Sequence, residues 1–280
     1  MQLRKVTAAS AAVLALALTA TACGSDDKDD ASGSGGGKKI TIGIKIDQPG
    51  IGLKTPDGKY TGFDVDVATY VAKELGYDAK NIEFKETKSA DRETAIERGD
   101  VKFIAASYSI NDERLQKVDF AGPYLLAHQD ILVRADDTSI KSPEDLNNKK
   151  LCSVTGSTSA KNVKEKLAPK AQLQEYGGYS ECLTGLENKV IDALTTDDSI
   201  LAGYASQDAH KGKFKLAGFK MTNENYGIGL KKGDADLKKK INDALTKMVS
   251  DGSWEKAVTA NFGPAGYKNE AAPKIGNVVK

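Results

Sequence analysis

Two rhythms of apolar and polar positions run through this sequence. Phe63, Val67, Val71 and Leu75 recur every fourth position, which predicts a helix over 63–75 with one face turned to a core. Leu237, Ile241, Leu245, Met248 and Val249 predict a long final helix in the same way, with Trp254 on a shorter one after it. Shorter helices are predicted at 90–98, ending at Gly99, and at 180–188. Ser142-Pro143-Glu144 opens another, with a capping hydroxyl and a proline in its first turn. Between them lie short apolar runs that read as strands: 39–46, 81–85, 101–106, 129–134, 151–154, 172–176, 190–195 and 226–230. Strands alternating with helices predict an α/β fold with largely parallel sheets. In such sheets ligands sit beyond the carboxyl ends of strands. The loops that follow strands here are 107–114, with a turn at Asp112-Glu113-Arg114, then 156–158 and the step at Asp197.

The first 38 residues follow neither rhythm. Arg4 and Lys5 precede an alanine-rich apolar run, 8–20, which is shorter than the ~20 residues a permanent membrane span needs. Ala20-Thr21-Ala22 then leads directly into Cys23, a pattern that resembles the lipobox of bacterial lipoproteins. Residues 24–38 are Gly, Ser, Asp and Lys with one Ala and no large apolar side chain, the composition of a flexible tether. The expectation is a signal peptide over 1–22, a lipidated Cys23, and an exported chain held to the outer face of the cytoplasmic membrane by lipid alone. About 240 residues remain, enough for one large domain or two lobes. A net charge of +1 gives no electrostatic case for a nucleic-acid partner. Cys152 and Cys182 form an even pair in an exported chain, which favours a disulfide over two separate buried thiols.

Enzymatic chemistry finds little to stand on. There are two histidines, His128 and His210, with no HExxH and no paired-cysteine metal spacing. No nucleophile elbow, P-loop or dinucleotide fingerprint occurs. The expectation is therefore no cofactor, no metal, a monomer, and a structural or surface role for His128.

Charged and hydroxyl residues after strands carry the chemistry. Ser107-Tyr108-Ser109-Ile110-Asn111-Asp112-Glu113-Arg114 is followed by Val118-Asp119-Phe120-Ala121-Gly122-Pro123-Tyr124. Together these resemble the signature of family 3 extracellular solute-binding proteins, the polar amino-acid receptors of ABC importers. Gly62-Phe63-Asp64-Val65-Asp66-Val67-Ala68, Thr155-Gly156-Ser157-Thr158 and Ile191-Asp192-Ala193 with Asp197 resemble further segments of that family, in the expected order. Asp47-Gln48-Pro49-Gly50-Ile51-Gly52-Leu53-Lys54, the run from Cys152 to Thr158, and Tyr179-Ser180-Glu181-Cys182 resemble glutamate-binding lipoproteins of Gram-positive bacteria. The resemblance implies a two-lobed, type II periplasmic-binding-protein fold, each lobe a mostly parallel sheet flanked by helices, with a two-strand hinge. Lobe 1 would be 39–130 plus 226–280 and lobe 2 131–225, with crossings near 129–133 and 225–228. It also implies delivery to a transmembrane permease.

The implied roles agree with elementary chemistry. Arg114 can grip an α-carboxylate with two parallel N–H bonds. Ser107 and Ser109 can add hydroxyl or backbone contacts. Ser157 and Thr158, at a helix start, bring amide donors to the same anion. Asp197 is the partner for the ammonium, with its neighbour Asp198 as rival. For the side chain, the resemblance implies an acidic ligand, glutamate first, with glutamine, aspartate and asparagine as alternatives. Arg92 would hold its carboxylate, Lys54 could reach the same region, and Tyr179 would close the pocket. Two bland alternatives stay open: Arg92 paired with Asp91 or Glu93, and Arg114 paired with Asp112 or Glu113. So do two other functions on the same fold, an exported enzyme like cyclohexadienyl dehydratase and a sensory subunit for a membrane kinase.

Overall fold

Ile40, Ile42 and Ile44 are all buried, and so are Gly43 and Lys45, so the first strand is covered on both faces. The structure, a computed structural model, describes residues 37–279. The signal segment, Cys23 and the tether up to residue 36 lie outside the described residues. The first strand, Ile40–Ile44 (β1), is followed by three short strands, Asp47–Gln48 (β2), Gly52–Lys54 (β3) and Tyr60–Thr61 (β4), which form a small antiparallel sheet of their own. Helix Phe63–Glu74 (α1) leads to Ile82–Glu86 (β5), Arg92–Glu97 (α2), Phe103–Ile104 (β6) and Asp112–Lys117 (α3). Then comes one long strand, Val118–Arg134 (β7). The chain continues through Lys150–Val154 (β8), Thr158–Asn162 (α4), Gln172–Tyr176 (β9), Tyr179–Glu187 (α5), Ala193–Asp197 (β10), Asp198–Ser206 (α6) and Phe214–Leu216 (β11). It returns as Asn223–Lys231 (β12) and closes with Ala235–Ser250 (α7) and Ser253–Phe262 (α8).

Eight of these strands run in the order β5-β1-β6-β12-β7-β10-β8-β9, with β11 also on β7. The outer strands on each side are parallel: β1 with β5 and β6, and β8 with β9 and β10. The two central strands, β7 and β12, run antiparallel to each other and to their flanking neighbours β6 and β10. The sheet thus has two parallel wings joined by a two-stranded middle. β7 pairs with β12 as far as His128 and turns to β10 at Gln129, so one strand serves both wings.

Helices α1, α7 and α8 cover the first wing. Phe63 meets Trp254 at 6.0 Å and Phe262 at 5.2 Å between ring centres, and the indole N–H of Trp254 donates to the Tyr124 carbonyl. Ile131, Val133, Leu146, Leu151, Val163 and Ala193 build a separate apolar core on the second wing. No helix of the described residues is long and apolar enough to cross a membrane.

Several elements differ from the sequence reading. The strand expected at 129–134 begins eleven residues earlier, at Val118. Within it the Gly122 N–H, ahead of Pro123, is satisfied by Asn242 Oδ1 from α7, and β12 is irregular opposite it. Helix α6 was not foreseen because Asp198 to Tyr204 are all buried, leaving no polar face to set a period. The segment at Asp112 is a helical turn capped by Asn111, whose side chain accepts the Arg114 N–H.

Cys152 in β8 and Cys182 in α5 are bonded, with 5.6 Å between their Cα atoms, and so fasten α5 to the second wing. The bridge closes a loop of 30 residues, worth about 3–4 kcal/mol of chain entropy. Replacing both cysteines by alanine is expected to lower the melting temperature by ~6–12 °C without changing the far-UV circular dichroism. Two free thiols in the unreduced, denatured wild type would contradict the assignment.

Candidate functional site

The loops past the strand ends converge between the wings. After β6 the chain reaches Ser107, which adopts a left-handed φ of 43°, a strained conformation for a residue with a Cβ. Asp64, in the first turn of α1, holds it there. One carboxylate oxygen accepts the Ser107 N–H at 2.6 Å and the other accepts the Tyr124 hydroxyl at 2.7 Å. Burial pushes the Asp64 carboxyl up to about 6, against those two hydrogen bonds. The Ser107 hydroxyl in turn donates to Gln48 Oε1.

Arg92 and Arg114 both lie against the ring of Tyr108, with guanidinium carbons 4.1 and 5.0 Å from its centre. Arg92, 2% exposed, donates from Nη1 to the carbonyls of Ala106 and Ser107, and its Nε has no partner. Burial first, and then the neighbouring Arg114, pull its guanidinium down to about 10. Arg114 donates to the Ser109 carbonyl at 2.7 Å and, across to the other wing, to the Gly156 carbonyl at 3.0 Å. Its carboxylate neighbour is Glu93, at 3.6 Å, which also accepts the Tyr108 hydroxyl. Neither bland alternative for the arginines therefore holds. Asp112 and Glu113 are not Arg114's ion-pair partners, and Arg92 turns inward to backbone carbonyls.

On the opposite wall, Asp197 ends β10 and starts α6. Its carboxylate is buried and accepts the hydroxyls of Tyr226 at 2.5 Å and Ser159 at 3.5 Å. Burial, reinforced by the negative charge of Glu224, holds it well above the usual carboxylate range. Glu224, also buried, accepts hydroxyls from Thr158 and Thr222. The rival Asp198 turns away, taking the His128 N–H and the Tyr267 hydroxyl.

Seven of the nine residues singled out from the sequence line one small cavity of about 10 Å³: Arg92, Ser107, Arg114, Ser157, Thr158, Tyr179 and Asp197. Ser109 contributes through its carbonyl on Arg114 rather than as a wall. Lys54 does not line the cavity. It is exposed on β3, with its ammonium 5.5 Å above the Tyr60 ring. It ends β3, the middle strand of the small sheet, paired with Tyr60 of β4.

Sequence reasoning missed Ser89, Ser159 and Ile200, which complete the lining, and above all Lys45, which stands behind Ser89 rather than in the wall itself. Lys45 follows β1, is 5% exposed, and donates to the Ser89 hydroxyl at 2.9 Å. Burial, and then the charge of Arg92, pull its ammonium down to about 7, with Asp47 opposing. A lone lysine at the carboxyl end of an otherwise apolar strand was the available signal. The cavity therefore concentrates cationic groups on the first wing and a buried carboxylate on the second.

Comparison with known proteins agrees with this geometry. The family model for bacterial extracellular solute-binding proteins, family 3, matches residues 40–264. The glutamate-binding protein GluB of Corynebacterium efficiens is 48% identical over 273 residues, 94% of this chain and 92% of that protein. The ABC transporter glutamine-binding protein GlnH of Bacillus subtilis is 42% identical over 219 residues, 78% of each chain. Among solved structures, an ancestral arginine-binding protein bound to arginine superposes with a TM-score of 0.75 at 35% identity, covering 80% of this chain and 98% of the other. The two parallel wings and their two-stranded middle are thus the type II, two-lobed fold of periplasmic binding proteins, and the chain belongs to the family 3 bacterial extracellular solute-binding proteins.

Proposed function

We propose that this chain is the solute receptor of an ABC importer and captures an acidic amino acid, glutamate first, between its lobes. The observation that carries the reading is the charge balance of the cavity. A neutral zwitterion needs one cationic group for its carboxylate and one anion for its ammonium. Here Arg114 and Asp197 supply those, and Arg92, backed by Lys45 behind Ser89, adds further positive charge on the same wall. Burying that charge beside a neutral side chain leaves it uncompensated, whereas a second ligand carboxylate offsets it. GluB, named for glutamate, supports this reading, and GlnH is named for glutamine, the neutral ligand that the titration below sets against it. They are named for binding rather than catalysis, which sets aside the dehydratase alternative.

In this reading the lobes are 39–130 with 226–280, and 131–225, hinged at β7 and β12. They close over the ligand, and contacts from both lobes favour the closed form. Ser107, Ser157 and Thr158 add hydroxyl and amide donors to the α-carboxylate, and Tyr179 closes the wall. In this reading the apolar segment 1–22 is a signal peptide and Cys23 carries the lipid that tethers the receptor outside the cell, where it delivers its ligand to a membrane permease.

Calorimetric titration of glutamate and glutamine separates the possibilities. Wild type is expected to prefer glutamate, and Arg92→Met to lose far more affinity for glutamate than for glutamine. Arg114→Ala or Asp197→Ala is expected to weaken both ligands by about 30-fold or more, because each leaves a desolvated charge unpaired. Equal losses on Arg92→Met, or a wild-type preference for a basic or apolar amino acid, would refute the acidic-ligand reading.

Lys45 makes a second, pH-dependent expectation. Its folded pKa lies at about 7, so it is charged below neutrality and neutral above. A ligand carboxylate nearby favours the charged form. Glutamate affinity is therefore expected to fall several-fold from pH 6.5 to 8.5, with proton uptake on binding in the upper range. Glutamine affinity should change less, and Lys45→Met should flatten the glutamate profile. A wild-type glutamate profile as flat as that of the variant would remove Lys45 from the site.

A further inference from the structure

One part of the seam between the lobes is built around a single residue, Asp47. It lies in β2, on the first lobe. Its Oδ2 accepts the N–H of Tyr179 at 3.0 Å, and Tyr179 is the first residue of α5 on the second lobe. Its own carbonyl accepts the hydroxyl of Tyr204 from α6 at 2.5 Å, and the same hydroxyl stands 3.4 Å from its carboxylate. Two glycines of the second lobe make room for this contact. A Cβ on Gly178 would stand 2.8 Å from Asp47 Oδ2, and a Cβ on Gly203 would stand 2.1 Å from the Pro49 carbonyl oxygen.

We propose that Asp47 is the closing residue of the cleft, a latch whose carboxylate seats on the start of α5 only when the lobes come together. The inference rests on the reading of the chain as a receptor that closes on its ligand. Each part of the seam suits the role. The free N–H groups at the start of a helix and its dipole favour an anion. The disulfide between Cys182 and Cys152 fixes α5 to its sheet, so the N–H groups stay aimed while the lobe moves as a body. Tyr179 faces two ways, with its N–H on Asp47 and its side chain lining the cavity, so the latch engages where the ligand is walled in. Asp47 itself is half-buried, so opening the cleft returns its carboxylate to water at little cost. The latch therefore adds to the closed form alone, and its loss should appear as faster release of ligand.

Two variants test this independently. Asp47→Ala removes the carboxylate. Gly203→Ala leaves Asp47 in place and drives a methyl group into Pro49. Gly203 lies within α6 and lacks a positive φ, so alanine suits the helix of the isolated lobe. Both variants are expected to keep the ligand-free melting temperature within a few degrees of wild type. Both should raise the dissociation rate of L-glutamate in stopped-flow fluorescence by about tenfold or more, with the association rate changed much less. A merely structural role would lower the ligand-free melting temperature and leave the dissociation rate alone. If wild type binds glutamate and Gly203→Ala releases it within twofold of the wild-type rate, the closing seam is refuted and the receptor reading stands. If Asp47→Ala alone shows no effect, the seam exists but Asp47 is not its latch. If wild type binds neither glutamate nor any of the other nineteen amino acids, the receptor reading fails and the latch with it.

Discussion

Arg92 and Arg114 lie against one buried ring, Tyr108, and Glu93 is the carboxylate that approaches them. Two guanidinium groups so placed repel each other, and burial strengthens the repulsion because less water screens it. The surrounding structure is arranged to tolerate that charge. Carbonyls of Ala106, Ser107 and Ser109 point at the guanidinium groups, and the strained Ser107 backbone that aims two of them is held by the buried Asp64. Asp64 is in turn fixed by Tyr124, which packs near Phe63 in the aromatic core beneath α1. The helix-start segment, the hydroxyl loop and the core thus form one support for a single electrostatic feature. Hydrogen bonds from carbonyls reduce the cost of the buried cations but do not neutralise them, so an anion from solution is the natural completion.

The second lobe supplies the opposite sign. Asp197 and Glu224 sit among hydroxyl groups, and the charge of Glu224 adds to burial in raising the cost of ionising Asp197. Closing the cleft brings these two fields together, and a zwitterion between them satisfies both. Direct contacts across the cleft also exist, including Arg114 on the Gly156 carbonyl and Lys161 on Glu113. The second of these is exposed, and exposed ion pairs contribute little. A ligand that touches both lobes provides the larger difference between open and closed forms.

Much of this was legible from the residues. The period of α1 and α7 located the helices that cover the first lobe, and hydroxyl and charged residues after strands located most of the cavity wall. What failed did so for physical reasons. The long strand β7 passes through Gly122-Pro123, where a side chain from α7, far off in the sequence, satisfies the Gly122 N–H. Helix α6 is buried all round and so has no period to read. Lys54 and Lys45 are nine residues apart and equally basic. Which one points inward depends on where β1 ends and on the small sheet that follows, and neither is set by local pattern. The role of Asp64 was likewise invisible, because its partner Ser107 lies 43 residues away.

The central claim is that the cleft carries more positive charge than a neutral amino acid can use. The most direct measurement is the thermal unfolding of the wild-type protein in the presence of each of the twenty amino acids at the same excess. A ligand that binds only the folded form stabilises it by an amount that grows with its affinity, about 4 kcal/mol at a thousandfold excess over Kd. The account predicts the largest rise in melting temperature with L-glutamate, a smaller one with aspartate or glutamine, and little with lysine, arginine or leucine. A largest rise with a basic or apolar amino acid would contradict it.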